Sequence, residues 1–270
     1  MLCKISDICG ELDTLLALAQ GAHCYRLSQP EVVAQNIIDI RGGRHLLQEQ
    51  VTPSFIANDT LLAGGRGEVG IAKNEEELSV PSQELSDGAT IEGPSTVIMT
   101  GPNYSGKSVY LKQIALIVFL AHVGSFVPAQ SAVVGLTDKI LTRVSTRETV
   151  SKQYSAFMID VQQIASVMRM HTERSLLVID EFGKGTEATD GVGLACAVFG
   201  HFLGLGDMRP KVLAATHFHE IFENGLLQPG PHLAFAHMSV VVNEESRVEE
   251  QVTYLYELRY GRSVASYGTV

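Results

Sequence analysis

The chain has 270 residues, 45% of them apolar, enough to bury one large core with a small appendage. Its formal net charge of −10 is the wrong sign for a domain that grips nucleic-acid phosphates alone, because Lys and Arg supply that grip through counterion release. No run reaches the roughly 18 apolar residues of a membrane span, and the start "MLCKISDICGELD" lacks the basic and apolar regions of an export signal.

Residues 6–25 carry Ile8, Leu12, Leu15, Leu16 and Ala19 at helical spacing behind Ser6 or Asp7 as N-cap. This predicts an amphipathic helix that needs a partner surface. Residues 42–62, "GGRHLLQEQVTPSFIANDTLL", mix short apolar runs with turn residues and predict edge strands. Residues 64–90, with "KNEEEL" and "SDGAT", predict a solvated loop or short hairpin. The four cysteines, Cys3, Cys9, Cys24 and Cys196, have neither CxxC nor zinc spacing and read as reduced thiols.

From residue 94 the pattern alternates. "STVIMT" predicts a strand, a glycine loop follows, and a helix runs through Leu120. "KILTRVS" predicts a strand and "SAFMIDVQQIASVMRM" a helix. "SLLVID" and "KVLAAT" are buried strands on either side of the helical "GVGLACAVFGHFLG". Continuous apolar strands alternating with helices imply an α/β fold with a largely parallel sheet covered on both faces. The runs "AHMSVVVNE" and "QVTYLYEL" alternate and predict an antiparallel hairpin.

The loop "GPNYSGKS" comprises Gly101, Pro102, Asn103, Tyr104, Ser105, Gly106, Lys107 and Ser108 and matches GxxxxGK[ST] in full. Glycine lets backbone N–H groups converge on phosphate oxygens, and the following helix N-terminus adds partial positive charge. Lys107 would reach the β and γ phosphates, and Ser108 would ligate Mg2+. A lone match of this kind recurs by chance, but here a strand precedes it and a helix follows. In "LLVIDEFGKGT", Asp180 ends a strand where a carboxylate can hold Mg2+, and Glu181 beside it could polarise an attacking water. On its own such a pair is often a strand running into a charged turn. His217 of "VLAATHFHE" follows another buried strand and would emerge beside the γ-phosphate, although a lone histidine is more often structural. His219 reads as structural.

With these elements in order, the chain resembles the ATPase domain of the MutS family of DNA mismatch-repair and recombination proteins. The likeness runs from about Gly42 onward through "GGRH", "FIAND", "GPNYSGKS", "GSFVPAQSA", "SAFMIDVQQIA", "DEFGKGT", "ATHFHE" and "SYG". "STRETVSKQYSAFMID" and "DEFGKGT" look nearest to a eukaryotic, meiotic branch that clamps recombination intermediates. The resemblance implies a P-loop NTPase of the ABC type, with a mainly parallel sheet flanked by helices plus antiparallel strands. It divides the chain into a helical remnant of a lever at residues 1–40 and an ATPase domain at residues 41–270. ATP and Mg2+ are the implied cofactors. Asn103 would contact phosphates. Phe55 and Ile56, ordinary core by their residue type, would flank the adenine, with His237 near the base.

Ser155 would act in trans on the γ-phosphate of a second MutS-family subunit in a homo- or heterodimer, and residues 183–190 would line that interface. DNA would be held mainly by parts outside this chain, in the nucleus, with no membrane partner. Leu46 replaces a usual proline, and Tyr104 and "TEATD" (186–190) replace smaller or hydroxyl-bearing residues. Apart from the remnant at residues 1–40, the lever, clamp, mismatch-reading and C-terminal dimerisation segments have no counterpart, so a fragment, a partial gene model or a truncated paralogue is expected. A catalytic ATPase and a non-catalytic ATP-binding scaffold both remain open. A membrane-transporter nucleotide subunit is disfavoured, because "SAFMID" stands where an "LSGGQ"-like signature would be needed.

Overall fold

The apolar runs Thr96–Thr100, Leu176–Asp180 and Lys211–Ala215 are buried at every position, the pattern of strands covered on both faces. The computed structural model describes residues 2–66, 93–143, 156–242 and 252–261. Its first half runs α1 (Leu2–Cys24), β1 (Glu31–Val33), β2 (Ile37–Gly43), α2 (Leu46–Glu49), β3 (Asn58–Ala63), β4 (Thr96–Thr100), α3 (Lys107–His122), β5 (Ser131–Gly135) and β6 (Ile140–Arg143). There follow α4 (Ala156–Met170), β7 (Leu176–Asp180), α5 (Ala188–Leu203), β8 (Lys211–Ala215), α6 (Glu220–Glu223), β9 (Leu233–Val242) and β10 (Val252–Tyr260).

The architecture is mixed α/β. The larger sheet has the order β10-β9-β4-β8-β7-β6. Its strands from β9 to β6 pair in parallel, and β10 returns antiparallel to β9. Side-chain alternation divides its residues between two cores. Val97, Met99, Val178 and Leu213 join Leu111, Ile114, Ile117 and Val118 of α3. Ile98, Leu177, Ile179 and Ala214 join Ile164 of α4 and Phe199 and Phe202 of α5.

The smaller sheet, ordered β1-β5-β2-β3, packs Ile38, Ile40, Leu62 and Val134 into the α3 core. Sandwiched this way, α3 is apolar nearly all round, as a buried helix must be.

Several boundaries differ from those predicted. Residues 42–62 were expected to give edge strands; they carry one, β3, at an edge of the smaller sheet, together with the short helix α2 and the last two residues of β2. The interface loop expected at residues 183–190 ends early. Its last three residues, Ala188, Thr189 and Asp190, already belong to α5, since none of them breaks a helix. The N-terminal helix starts at Leu2 rather than Ser6, and its apolar residues Ile8, Leu12, Leu15 and Leu16 are exposed. Most of the predicted 64–90 loop lies outside the described residues, as do Ser155 and the closing "SYG". Among the described residues no helix is long and apolar enough to cross a membrane.

At the sheet's lower edge, β8 opens on Lys211, whose side chain is fully buried. Its amine donates to the Asn36 Oδ1 and to the Arg174 carbonyl. Asn36 in turn donates to the carbonyls of Gly65 at 2.9 Å and Glu173 at 2.7 Å. Burial, with Arg174 adding to it against Asp138, lowers the Lys211 pKa to about 8.

The folded amine therefore sheds its proton near pH 8, while the unfolded chain keeps it to about pH 10.4. Between these values the unfolded state binds more protons, so stability rises with pH; below pH 8 the cost of the buried charge is fully felt. Urea denaturation should find a gain of ~3 kcal/mol between pH 8 and pH 10.5 that Lys211→Met lacks. Parallel profiles for the two proteins would show that Lys211 does not titrate in that window.

Candidate functional site

The segment from β4 to α3 is a tight loop whose glycines adopt conformations that side chains resist. Gly101 has φ +149° and Gly106 has φ +100°, the range glycine tolerates at no steric cost. A Cβ on Gly106 would sit 3.2 Å from the Tyr256 ring, and one on Gly101 would meet the Ser105 Oγ at 3.0 Å. Gly106 is the N-cap of α3 and lends it no side-chain hydrogen bond. The first N–H groups of a 16-residue helix are thus available to an anion, with the helix dipole behind them.

Lys107 begins that helix and is 5% exposed. Its amine donates to the carbonyls of Gly101 at 2.7 Å and Pro102 at 2.9 Å, which uses two of its three N–H bonds. Burial lowers its pKa, while Glu181 and Asp180 pull the other way.

Asp180 ends β7 opposite Ala215 of β8. The residue is 4% exposed, and its Oδ1 has no hydrogen-bond partner. Burial raises its pKa; the Ser108 hydroxyl opposes this, Glu181 adds to it, and Lys107 and Arg143 oppose it more weakly. A buried carboxylate held this way is short of positive charge. Such a site favours a cation.

Glu181 has φ +52°, a left-handed backbone that costs a non-glycine residue roughly 1–2 kcal/mol. Its carboxylate lies 3.2 Å from the Lys184 amine, with 18% of the side chain exposed. His217 follows the end of β8 with part of its ring open to solvent. Such burial as it has lowers its pKa, and nearby Glu181 raises it. No group of three His, Cys, Asp or Glu side chains suited to a metal occurs among the described residues. Mg2+ would therefore depend on Ser108, Asp180, phosphate oxygens and water, a donor set of the kind this ion accepts.

Above the loop lies a cavity of about 670 Å³. It brings together Asn103, Tyr104, Gly106, Lys107, Ser108, Glu181, Phe55 and Ile56. Gly101, Pro102 and Ser105 belong to the loop but do not line it, and Asp180 and His217 lie outside the lining. Phe55 and Ile56, which the sequence alone would assign to the core, stand half-buried and 44% exposed at this cavity. His237 pairs in register with Thr100 and approaches the Gly261 carbonyl at 3.2 Å; its neighbour Met238 lines the cavity instead.

The sequence reading missed Tyr256. This residue has φ +55° and stands at a register shift between Tyr254 and Leu258 of β10, so the irregularity turns it toward the loop. Buried Asn58 holds it there, donating to the Tyr256 carbonyl at 2.9 Å and accepting the Leu258 N–H at 2.7 Å. A strand 198 residues away in sequence leaves no local signal.

Residues 97–270 match the family described as MutS domain V. Relatives include MutS protein homolog 5 of Saccharomyces cerevisiae, 36% identical over 96% of this chain and 28% of the yeast protein. DNA mismatch repair protein MutS of Nostoc punctiforme is 34% identical over 98% of this chain and 30% of its own length. The protein of that name from Dehalococcoides mccartyi is 36% identical over 95% and 26%, respectively. The chain thus spans less than a third of the length of these relatives.

Proposed function

This chain belongs to the MutS family, and we propose that its residues 41–270 are a P-loop ATPase domain of the ABC type, with residues 1–40 returning from a lever. The reading is carried by one cavity that gathers Lys107, Ser108 and Glu181, together with the unsatisfied Oδ1 of Asp180, whose side chain interacts with Ser108. The triphosphate of ATP lies along residues 101–108, and the third Lys107 N–H reaches the β and γ oxygens. Phe55 and Ile56 face the adenine from one wall, Tyr256 from another, and His237 stands nearby.

Ser108 and Asp180 hold Mg2+, which neutralises phosphate charge when bound. Glu181 accepts the proton of the attacking water, and His217 senses the γ-phosphate. Ser155 of a second subunit, homo- or heteromeric, completes the site in trans. ATP state then drives a clamp on DNA, in mismatch repair or meiotic recombination, in the nucleus. The yeast relative's name supports the eukaryotic branch.

Purified chain should hydrolyse ATP only with Mg2+, and its specific activity should rise with protein concentration as pairs of sites form. Flat, negligible activity across the concentration range would instead identify a non-catalytic ATP-binding scaffold.

A further inference from the structure

Arg143, the last residue of edge strand β6, is 3% exposed. A buried guanidinium costs several kcal/mol unless paired, so its contacts bear on what it does. It forms an ion pair with Asp160 of α4, and it donates to the backbone carbonyl of Asp180. That carbonyl belongs to the peptide joining the two adjacent acids. The N–H of the same peptide, on Glu181, donates to the Ala215 carbonyl of β8 at 2.9 Å. The Asp180–Glu181 peptide is therefore gripped on both sides, immediately before a residue in the left-handed region. A backbone in that region persists only where its surroundings over-determine it.

We propose that Arg143 is a positioning residue for hydrolysis, holding Glu181 in its productive backbone conformation and tying that conformation to α4 through Asp160. The proposal rests on the ATPase reading above and names a residue outside the cavity and its motifs. Because Asp160 lies in the first half of α4, a shift of that helix reaches Glu181 through one guanidinium. Lysine cannot replace it, since a single amine lacks the fork that bonds a carbonyl and a carboxylate together.

The test compares wild type, Arg143→Lys, Asp160→Asn and Glu181→Gln in the full chain. It measures steady-state turnover alongside binding of a fluorescent ATP analogue. Arg143→Lys should lower kcat about tenfold, the scale of a displaced catalytic group, with KM and analogue affinity within about twofold of wild type. Asp160→Asn keeps the carbonyl bond and removes only the charge that pairs Arg143 with α4; it should show the same split at about threefold, and it carries the test if Arg143→Lys does not fold.

Wild-type turnover in both variants, or loss of analogue binding along with turnover, would overturn the proposal. The second result would make Arg143 a support of the fold alone. Glu181→Gln separates the two levels. If it loses turnover while the Arg143 and Asp160 variants do not, only this inference falls. If neither it nor the wild type hydrolyses ATP differently from background, the ATPase reading falls, and the inference with it.

Discussion

Glu181→Gln should retain ATP with an affinity within about twofold of wild type and hydrolyse it at least about tenfold more slowly, the range for loss of a positioned general base being 10²–10⁴. The amide matches the carboxylate in shape but cannot take a proton from water. The backbone at residue 181 should not change, because its N–H still bonds Ala215 and the Asp180 carbonyl of the same peptide is still held by Arg143. The Lys184 contact at 3.2 Å weakens, but 64% of that lysine side chain is exposed, so its loss is worth little. Single-turnover hydrolysis of radiolabelled ATP with nucleotide in excess of its Kd separates chemistry from binding. Unchanged turnover would remove Glu181 from the mechanism.

What could be read from the sequence was local. Strands β4, β7 and β8 are buried on both faces and therefore appear as continuous apolar runs, and the glycine loop between β4 and α3 announces itself by spacing. The smaller sheet was harder because it is assembled from distant pieces. β1 pairs with β5 about 100 residues later, and β5 is a five-residue strand of mixed exposure that gives no apolar run. Phe55 and Ile56 illustrate a different gap. An aromatic and an aliphatic residue side by side look like core by composition, and only the cavity distinguishes a wall from an interior. Tyr256 depends on a bulge and on Asn58 across the molecule, neither of which leaves a periodic trace. Arg143 looked like an interior position of the strand run "KILTRVS". Its partners, Asp160 and the Asp180 carbonyl, meet only when α4 packs beside β6.

The same loop geometry sets the second large effect. In this structure the Lys107 amine is buried and braced by the Gly101 and Pro102 carbonyls, so it is already ordered and gives up little side-chain entropy on meeting a phosphate. Truncation to alanine removes a charge-assisted contact worth about 1.5–3 kcal/mol, which corresponds to roughly a 10- to 100-fold weaker Kd. Alanine also gives up the bonds to the Gly101 and Pro102 carbonyls, but the glycine conformations that shape the loop remain, so the loss should fall on the phosphates. The control is an adenosine analogue without phosphates, whose weak binding at Phe55, Ile56 and Tyr256 should not change. Equal losses for both ligands would mean a damaged fold rather than a missing grip.

The proposed ATPase requires a triphosphate lying over residues 101–108 with its terminal phosphates at Lys107. Titrating a fluorescent ATP analogue into wild type and Lys107→Ala, with Mg2+ present, measures this directly. Saturable binding by the wild type, weakened at least about tenfold in the variant, is the predicted result. Wild-type affinity in Lys107→Ala would contradict it.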